Sequence, residues 1–372
     1  MLTHYMLDGA PQALVRYLNA QPDAEVTYVG HPLKSGFSHH EFVVSSQGIR
    51  RIWKKLDPII TVPILCWIWD IILTIYWIVL SKKRYHTCVA AGCVNVVTAI
   101  LLKKLGIVKI VIFYSIDFVP KRFNNSILNL LYRLVDNFAF IEADITWCLT
   151  NRMLTERTRL VGSFRSTKRD IIIPIGIDAT LPPFDEAKIK RYTMVFTGVL
   201  LEKQGLQIVI PALRPLQAKY PDIRLRIVGD GPFLGELRKL TEKFNVENLV
   251  DFCGLITDRG QLAERVGTAA VGLAPYAPTS DSFTWYADPT KPKDYMSLGI
   301  PVIITEVPEI ASKIHQSGAG QLVSYDVEDI SDAIDRFLGD DEYWRNARQS
   351  AIRLSHDYHW DAIFERALAS SM

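Results

Sequence analysis

The chain has 372 residues, 49% of them hydrophobic and 22% charged, with a formal net charge of +2. That length and apolar content suit two α/β domains with separate cores and exclude a single small binding module. A near-balanced charge also excludes the strong basic field of a nucleic-acid binder, so no nucleic acid is expected as a partner.

The leading MLTHYMLDG lacks the basic region, apolar core and small-residue cleavage site of a signal peptide, so the chain is expected on the cytoplasmic side. LTHYML is short for the opening strand of a doubly wound domain: either the first strand is short or the true start lies upstream. EVTYVGH, HTCVAAG with NVVTAILLKKLG, VKIVIFYS, a helical stretch from Ile127 to Ile141, and DITWCLT then alternate in the rhythm of a parallel sheet with crossover helices. Around DIIIPIGIDATLPPFDEAKIKR the pattern lapses into prolines and charges, which sets a domain boundary near Ile175 to Arg191. The rhythm returns through YTMVFTG, IRLRIVG, NLVDFCG, AAVGLAPY, PVIIT and GQLVSY. The predicted class is α/β, with two Rossmann-like doubly wound domains over residues 1–175 and 176–355 and an amphipathic helix within 356–372. Cys66, Cys88, Cys93, Cys148 and Cys253 are scattered without a CxxC pair and read as reduced thiols, with neither disulfide nor metal site. His39, His40 and His86 have no readable partner.

PIITVPILCWIWDIILTIYWIVL, residues 58–80, approaches the ~20 apolar residues that span a bilayer. Three readings compete. Spanning would separate residues 1–55 from their sheet, and Pro63 and Asp70 interrupt the run. A helix buried in the N-terminal domain satisfies the same composition. A helix partly sunk in an anionic membrane surface fits the flanking Arg50, Arg51, Lys54, Lys55, Lys82, Lys83 and Arg84, and the interfacial Trp67, Trp69, Tyr76 and Trp77.

Three later segments carry chemistry. FTGVLLEKQGLQIVIPAL is a strand ending at Gly198, a loop with Lys203, and Gly205 opening a helix; such a turn brings backbone N–H groups to a phosphate and Lys203 adds charge. IVGDGPFLGELRKL repeats the strand and turn at Gly229 with Pro232 near the first helical turn. Each alone is also an ordinary structural turn. YADPTKPKDYMSLGIPVIIT is more specific: Pro289 can start a helix carrying Lys291, Asp294 and Tyr295, a site for a diphosphate at Lys291 and for ribose hydroxyls at Asp294. Asp294 equally suits a helix start as a dipole-compensating residue.

Taken jointly, these segments resemble the C-terminal half of glycosyltransferase family 4 and its GT-B relatives, over roughly Tyr192 to Tyr325. Gly198, Lys203 and Gly205 match the G-x-x-x-x-K-G-like loop; Val228, Gly229, Gly231 and Pro232 match V-G-x-G-P; Pro289, Lys291, Asp294, Tyr295, Gly299, Pro301 and Val302 match the P-x-K-x-x-E-Y helix and following strand. The chain departs at Val199 and Gln204, where many members have Arg and Lys, and at Tyr286, where they have the first of two glutamates; Asp288 or Asp281 are the substitutes at hand. The resemblance implies a GT-B glycosyltransferase whose residues 176–355 hold a nucleotide-sugar donor through Gly198, Lys203, Gly229, Lys291, Asp294 and Tyr295, whose residues 1–175 take a glycan or lipid-linked acceptor, and whose last helix returns to the N-terminal domain. No cofactor is expected, and no metal is required, because positive groups and helix N-termini can neutralise the leaving diphosphate. A nucleotide-sugar epimerase of the same fold and a catalytically silent scaffold are the alternatives.

In VIFYSIDFVPKRF, Asp117 follows an apolar strand, where ligands of open α/β sheets bind, and a carboxylate there can take a proton from an acceptor hydroxyl. It can equally cap a turn. The segment resembles the strand-Ser-x-Asp stretch of xanthan glucuronosyltransferases, whose aspartate is a base.

Overall fold

The computed structural model describes residues 1–371 apart from 6–7, 34–38, 47–48, 58–62, 163–168, 179–183 and 279–282, and leaves the side chains of 49–53, 63–64, 259 and 283 undescribed. The side chains of Arg50 and Arg51, the first residues of the apolar segment, and Asp281 therefore lie outside the described residues. The chain forms two compact units, Met1–Pro174 with Ile363–Met372, and Ile175–Ala362.

The N-terminal unit runs β1 (Leu2–Tyr5), α1 (Ala10–Asn19), β2 (Glu25–Pro32), β3 (His40–Ser46), β4 (Ile49–Leu56), α2 (Pro63–Leu80), β5 (Tyr85–Ala91), α3 (Cys93–Lys104), β6 (Val108–Ser115), α4 (Ser126–Glu142), β7 (Ile145–Cys148), α5 (Asn151–Val161) and β8 (Arg169–Ile172). Its sheet order is β4-β3-β2-β1-β5-β6-β7-β8. The strands β2-β1-β5-β6-β7-β8 pair in parallel, and β3 and β4 extend the edge antiparallel. β1 has only four residues, yet it pairs with both β2 and β5. Helices cover both faces of such a sheet, so its strands read as apolar runs; Val111 to Tyr114 of β6 are all buried.

The C-terminal unit runs β9 (Lys190–Thr197), α6 (Leu206–Gln217), β10 (Arg224–Val228), α7 (Leu234–Phe244), β11 (Val250–Gly254), α8 (Arg259–Gly267), β12 (Ala269–Ala274), α9 (Phe283–Tyr286), α10 (Lys291–Ser297), β13 (Val302–Thr305), α11 (Ile310–Gln316), β14 (Gly320–Val323), α12 (Val327–Gly339) and α13 (Asp341–His356). The sheet is wholly parallel in the order β11-β10-β9-β12-β13-β14, the 3-2-1-4-5-6 arrangement of a Rossmann domain. The closing helix α14 (Trp360–Ser371) packs its far end into the N-terminal unit. There Ser371 Oγ accepts from Trp147 Nε1 at 3.0 Å, the Ser370 carbonyl accepts from Arg169 at 2.9 Å, and Phe364 meets Tyr17 with ring centroids 5.7 Å apart.

The apolar segment is the helix α2, and no helix among the described residues is long and apolar enough to cross a membrane. Leu73, Trp77 and Ile78 are buried in the core, while Leu65, Ile68, Ile72, Tyr76 and Val79 are half-exposed along the other face. Asp70, the carboxylate that interrupts the run, points inward and is buried. A second apolar stripe faces outward on α4, where Ile127, Leu130, Leu131, Leu134 and Phe138 are exposed. Between them α3 packs against both helices and exposes Leu101, with Leu105 exposed just past its end.

Candidate functional site

In an open parallel sheet, ligands bind beyond the carboxyl ends of the strands where the strand order reverses. In the C-terminal unit that point lies between β9 and β12. Two glycines let the loops close up there. Gly229 has φ 146°, and a side chain on it would strike the Gly198 carbonyl; Gly205 has φ 81°, and a side chain would strike the Pro275 carbonyl just beyond β12. Gly198 N donates to the Val228 carbonyl at 3.0 Å and Leu200 N to the Asp230 carbonyl at 2.9 Å, which locks the turn after β9 to the turn after β10.

Lys291 reaches this junction from the first turn of α10. Its ammonium lies 3.8 Å from the ring centroid of Phe196 on β9 and 5.0 Å from that of Tyr276 after β12, and Cε would touch a Cβ placed on Gly198. Its hydrogen bond goes to Gln204 Oε1 at 2.6 Å. Among the described residues no carboxylate lies within ion-pair distance of it. Burial pushes the Lys291 ammonium well below the ordinary lysine range. The arrangement is a desolvated cation at a glycine-lined strand end, which an anion such as a diphosphate would complete. Lys203 is half-buried in the loop that precedes Gly205, and its side chain forms no hydrogen bond or ion pair among the described residues. Gln204, the departure from the family's lysine, serves as the acceptor that holds Lys291.

Helix α10 starts at Lys291 with Thr290 as its cap and Pro292 in its first turn, so Pro289 stands outside it. Solvent reaches Asp294, yet surrounding protein desolvates its carboxyl and raises it to about 6, against a lowering by the Thr290 hydroxyl. Tyr295, read from the sequence as a nucleotide contact, is fully buried, and its phenol accepts from Thr197 N at 2.8 Å and Thr197 Oγ1 at 3.2 Å. That pair fastens α10 to the end of β9. Asp288 is likewise committed, buried against the Lys293 ammonium and accepting from Ile175 N at 2.6 Å, so it does not replace the missing glutamate.

In the N-terminal unit Asp117 lies exposed just beyond β6, with Arg122 Nη2 3.9 Å from its carboxylate. The loop is held by Asn129 Oδ1, which accepts from Arg122 N at 2.8 Å and Phe123 N at 3.3 Å. His39 is paired with Asp57, and His86 Nδ1 lies 3.0 Å from Thr87 Oγ1. His40 is not the lone histidine its sequence context suggests: it is buried beside His31 and Asp70. Burial lowers both imidazoles, His31 more strongly, so both are neutral near pH 7. Residues 4, 31, 40 and 70 are too far apart in sequence for any spacing to disclose this cluster.

Residues 191–340 match the family model described as glycosyl transferases group 1. A putative colanic acid biosynthesis glycosyltransferase, WcaL of Escherichia coli, is 26% identical over 283 residues, covering 74% of this chain and 67% of that protein. Among solved structures, Anabaena HepE in complex with UDP superposes with a TM-score of 0.71 at 16% identity, covering 100% of this chain and 99% of that one. Sucrose-phosphate synthase from Thermosynechococcus elongatus gives 0.66 at 17% identity, with 100% and 99% covered. The fold is that of GT-B glycosyltransferases.

Proposed function

We propose, for a GT-B chain whose residues 191–340 form a glycosyl transferases group 1 domain, that it moves a sugar from a nucleotide-diphosphate donor to a glycan or lipid-linked acceptor at the cytoplasmic membrane face. The observation that carries the reading is Lys291, a desolvated cation with no anionic partner among the described residues, at the switch point of the C-terminal sheet. HepE, of the same fold, is seen with UDP.

In this reading Lys291 and the N–H groups of the glycine turns bind the diphosphate, and Asp294 accepts from the ribose hydroxyls. As the bond from the anomeric carbon to the diphosphate oxygen breaks, Lys291 neutralises the charge left on that oxygen, so the step itself asks for no metal. The acceptor hydroxyl forms the new bond and gives its proton to Asp117. The acceptor side draws support from the outward apolar stripes of α2 and α4 and from exposed Lys55, Lys82, Arg84 and Lys104 nearby in sequence, a combination suited to an anionic lipid surface. WcaL is named for colanic acid biosynthesis.

The test is UDP release across a panel of UDP-sugars, with and without a lipid-linked glycan. Release that depends on the acceptor is the expected result. Interconversion of the donor without an acceptor would make the chain an epimerase, and absence of any nucleotide-sugar binding would make it a silent scaffold.

A further inference from the structure

We infer that the N-terminal unit holds one first-row divalent transition-metal ion, zinc fitting best, ligated by His31 Nδ1, His40 Nδ1 and Asp70 Oδ1. The two imidazole nitrogens are 2.9 Å apart, and each lies 3.5 Å from Asp70 Oδ1. A triangle of those sides has a centre about 1.9 Å from all three atoms, so an ion slightly out of its plane meets the 2.0–2.2 Å of zinc–nitrogen and zinc–oxygen bonds. All three residues are buried, and they converge from β2, β3 and α2.

The donor atoms explain why a cation is wanted. Asp70 Oδ1 is buried and accepts no hydrogen bond among the described residues. Two imidazole nitrogens facing each other across 2.9 Å leave a lone pair against a lone pair unless a proton or a metal stands between them. A single proton between the nitrogens would leave the carboxylate oxygen orphaned, at a cost of about 1–3 kcal/mol or more for a charged group. One metal ion satisfies all three atoms together.

The outer contacts also match. Asn95 Nδ2 lies 2.8 Å from His4 Nδ1 and also donates to the Ala91 carbonyl at 2.7 Å, which sets the His4 proton on Nε2. That nitrogen lies 2.9 Å from Asp70 Oδ2, so His4 donates there and turns Oδ1 toward the imidazoles. His31 Nε2 lies 2.6 Å from Thr74 Oγ1, which can accept its proton and leave Nδ1 free as a ligand. Metal-ligating histidines and carboxylates are held by such outer partners. Two imidazoles and a carboxylate are a donor set for zinc and its first-row neighbours rather than magnesium or calcium. Three protein ligands leave the fourth position of a tetrahedron for water. The ion would clamp the apolar helix α2 to the β2–β3 hairpin, and it accounts for a carboxylate in the middle of that helix. The inference stands apart from the donor reading, since every group named belongs to the N-terminal unit.

The experiment uses the full chain without a histidine tag, expressed with zinc, gel-filtered and subjected to elemental analysis. One zinc per chain is expected, and the chelator-stripped protein should take up one Co²⁺ with the visible absorption of a four-coordinate site. His40→Gln and Asp70→Asn should lose the metal, and added zinc should raise the melting temperature of the wild type but not of these variants. His4→Gln, which removes only an outer partner, should weaken zinc affinity about 10- to 100-fold. Folded wild-type protein that binds neither zinc nor cobalt overturns the inference and makes the cluster a proton-bridged one; so does His40→Gln that binds zinc as well as wild type. Where the variants fail to fold, the wild-type zinc and cobalt measurements decide.

Discussion

Replacing Lys291 by methionine keeps most of the apolar stem on Phe196 and Tyr276 and deletes only the charge. In the free protein that charge has one hydrogen bond, to Gln204 at 2.6 Å, and no counter-ion among the described residues. A charge-assisted bond to a diphosphate is worth about 1.5–3 kcal/mol, so the dissociation constant for UDP should rise about tenfold to 150-fold in Lys291→Met. A pH signature should accompany the loss. Burial holds the free ammonium well below the ordinary lysine value, and a bound diphosphate raises it again. Below the free-state pKa the lysine is charged in both states and affinity is greatest; between the free and bound values binding takes up a proton, and affinity falls as pH rises. Calorimetry in two buffers of different ionisation heat measures that proton. Lys291→Met should abolish the uptake and, having lost a desolvated cation, melt no lower than the wild type without ligand. A variant that binds UDP as tightly as wild type with the same proton uptake would move the diphosphate elsewhere.

Asp294, raised to about 6 by desolvation, accepts from the ribose most strongly when ionised, so UDP affinity of the wild type should fall as pH drops through about 6 while that of Asp294→Asn changes less; parallel curves would leave it a helix-start residue. Asp117→Asn should keep its affinity for the nucleotide sugar and lose a factor of about 10² to 10⁴ in transfer rate, and near wild-type transfer would dismiss Asp117 as the base. Flotation with anionic liposomes should weaken with salt and in the double variant Ile72→Glu, Leu134→Glu, both positions facing outward; unchanged flotation would take the contact off α2 and α4.

The strand rhythm of both halves is legible because parallel strands covered on both faces read as plain apolar runs, VKIVIFYS being the clearest. The order of strands is not, since it depends on which run pairs with which. Lys291 stands out by spacing, but the partners that give it its chemistry, Phe196, Gln204 and Tyr276, are distant in sequence. Tyr295, four residues on in the same motif and so on nearly the same face of α10, is fully buried, its phenol held by Thr197 at the end of β9, which the spacing does not disclose. Ile127, Leu130, Leu131, Leu134 and Phe138 have the spacing of a core-facing stripe, and periodicity cannot tell inside from outside when the opposite face is also partly apolar. Asp70 is hidden for a related reason: in a helix apolar all round, no polar face marks which way a single carboxylate turns.

The hydrogen bond from Trp147 to Ser371 has a consequence for how the chain is made. The C-terminal unit is continuous in sequence, Ile175–Ala362, whereas the N-terminal unit needs Ile363–Met372 to finish its core. During synthesis residues 1–174 emerge before α14, so the surface that receives Phe364 and the indole N–H of Trp147 stay uncovered until α14 leaves the ribosome. The N-terminal unit is therefore begun before the C-terminal unit and completed after it. Fragments should divide accordingly: 175–362 contains every strand of its own sheet and can be expressed alone, while 1–174 leaves an apolar seam open and invites aggregation.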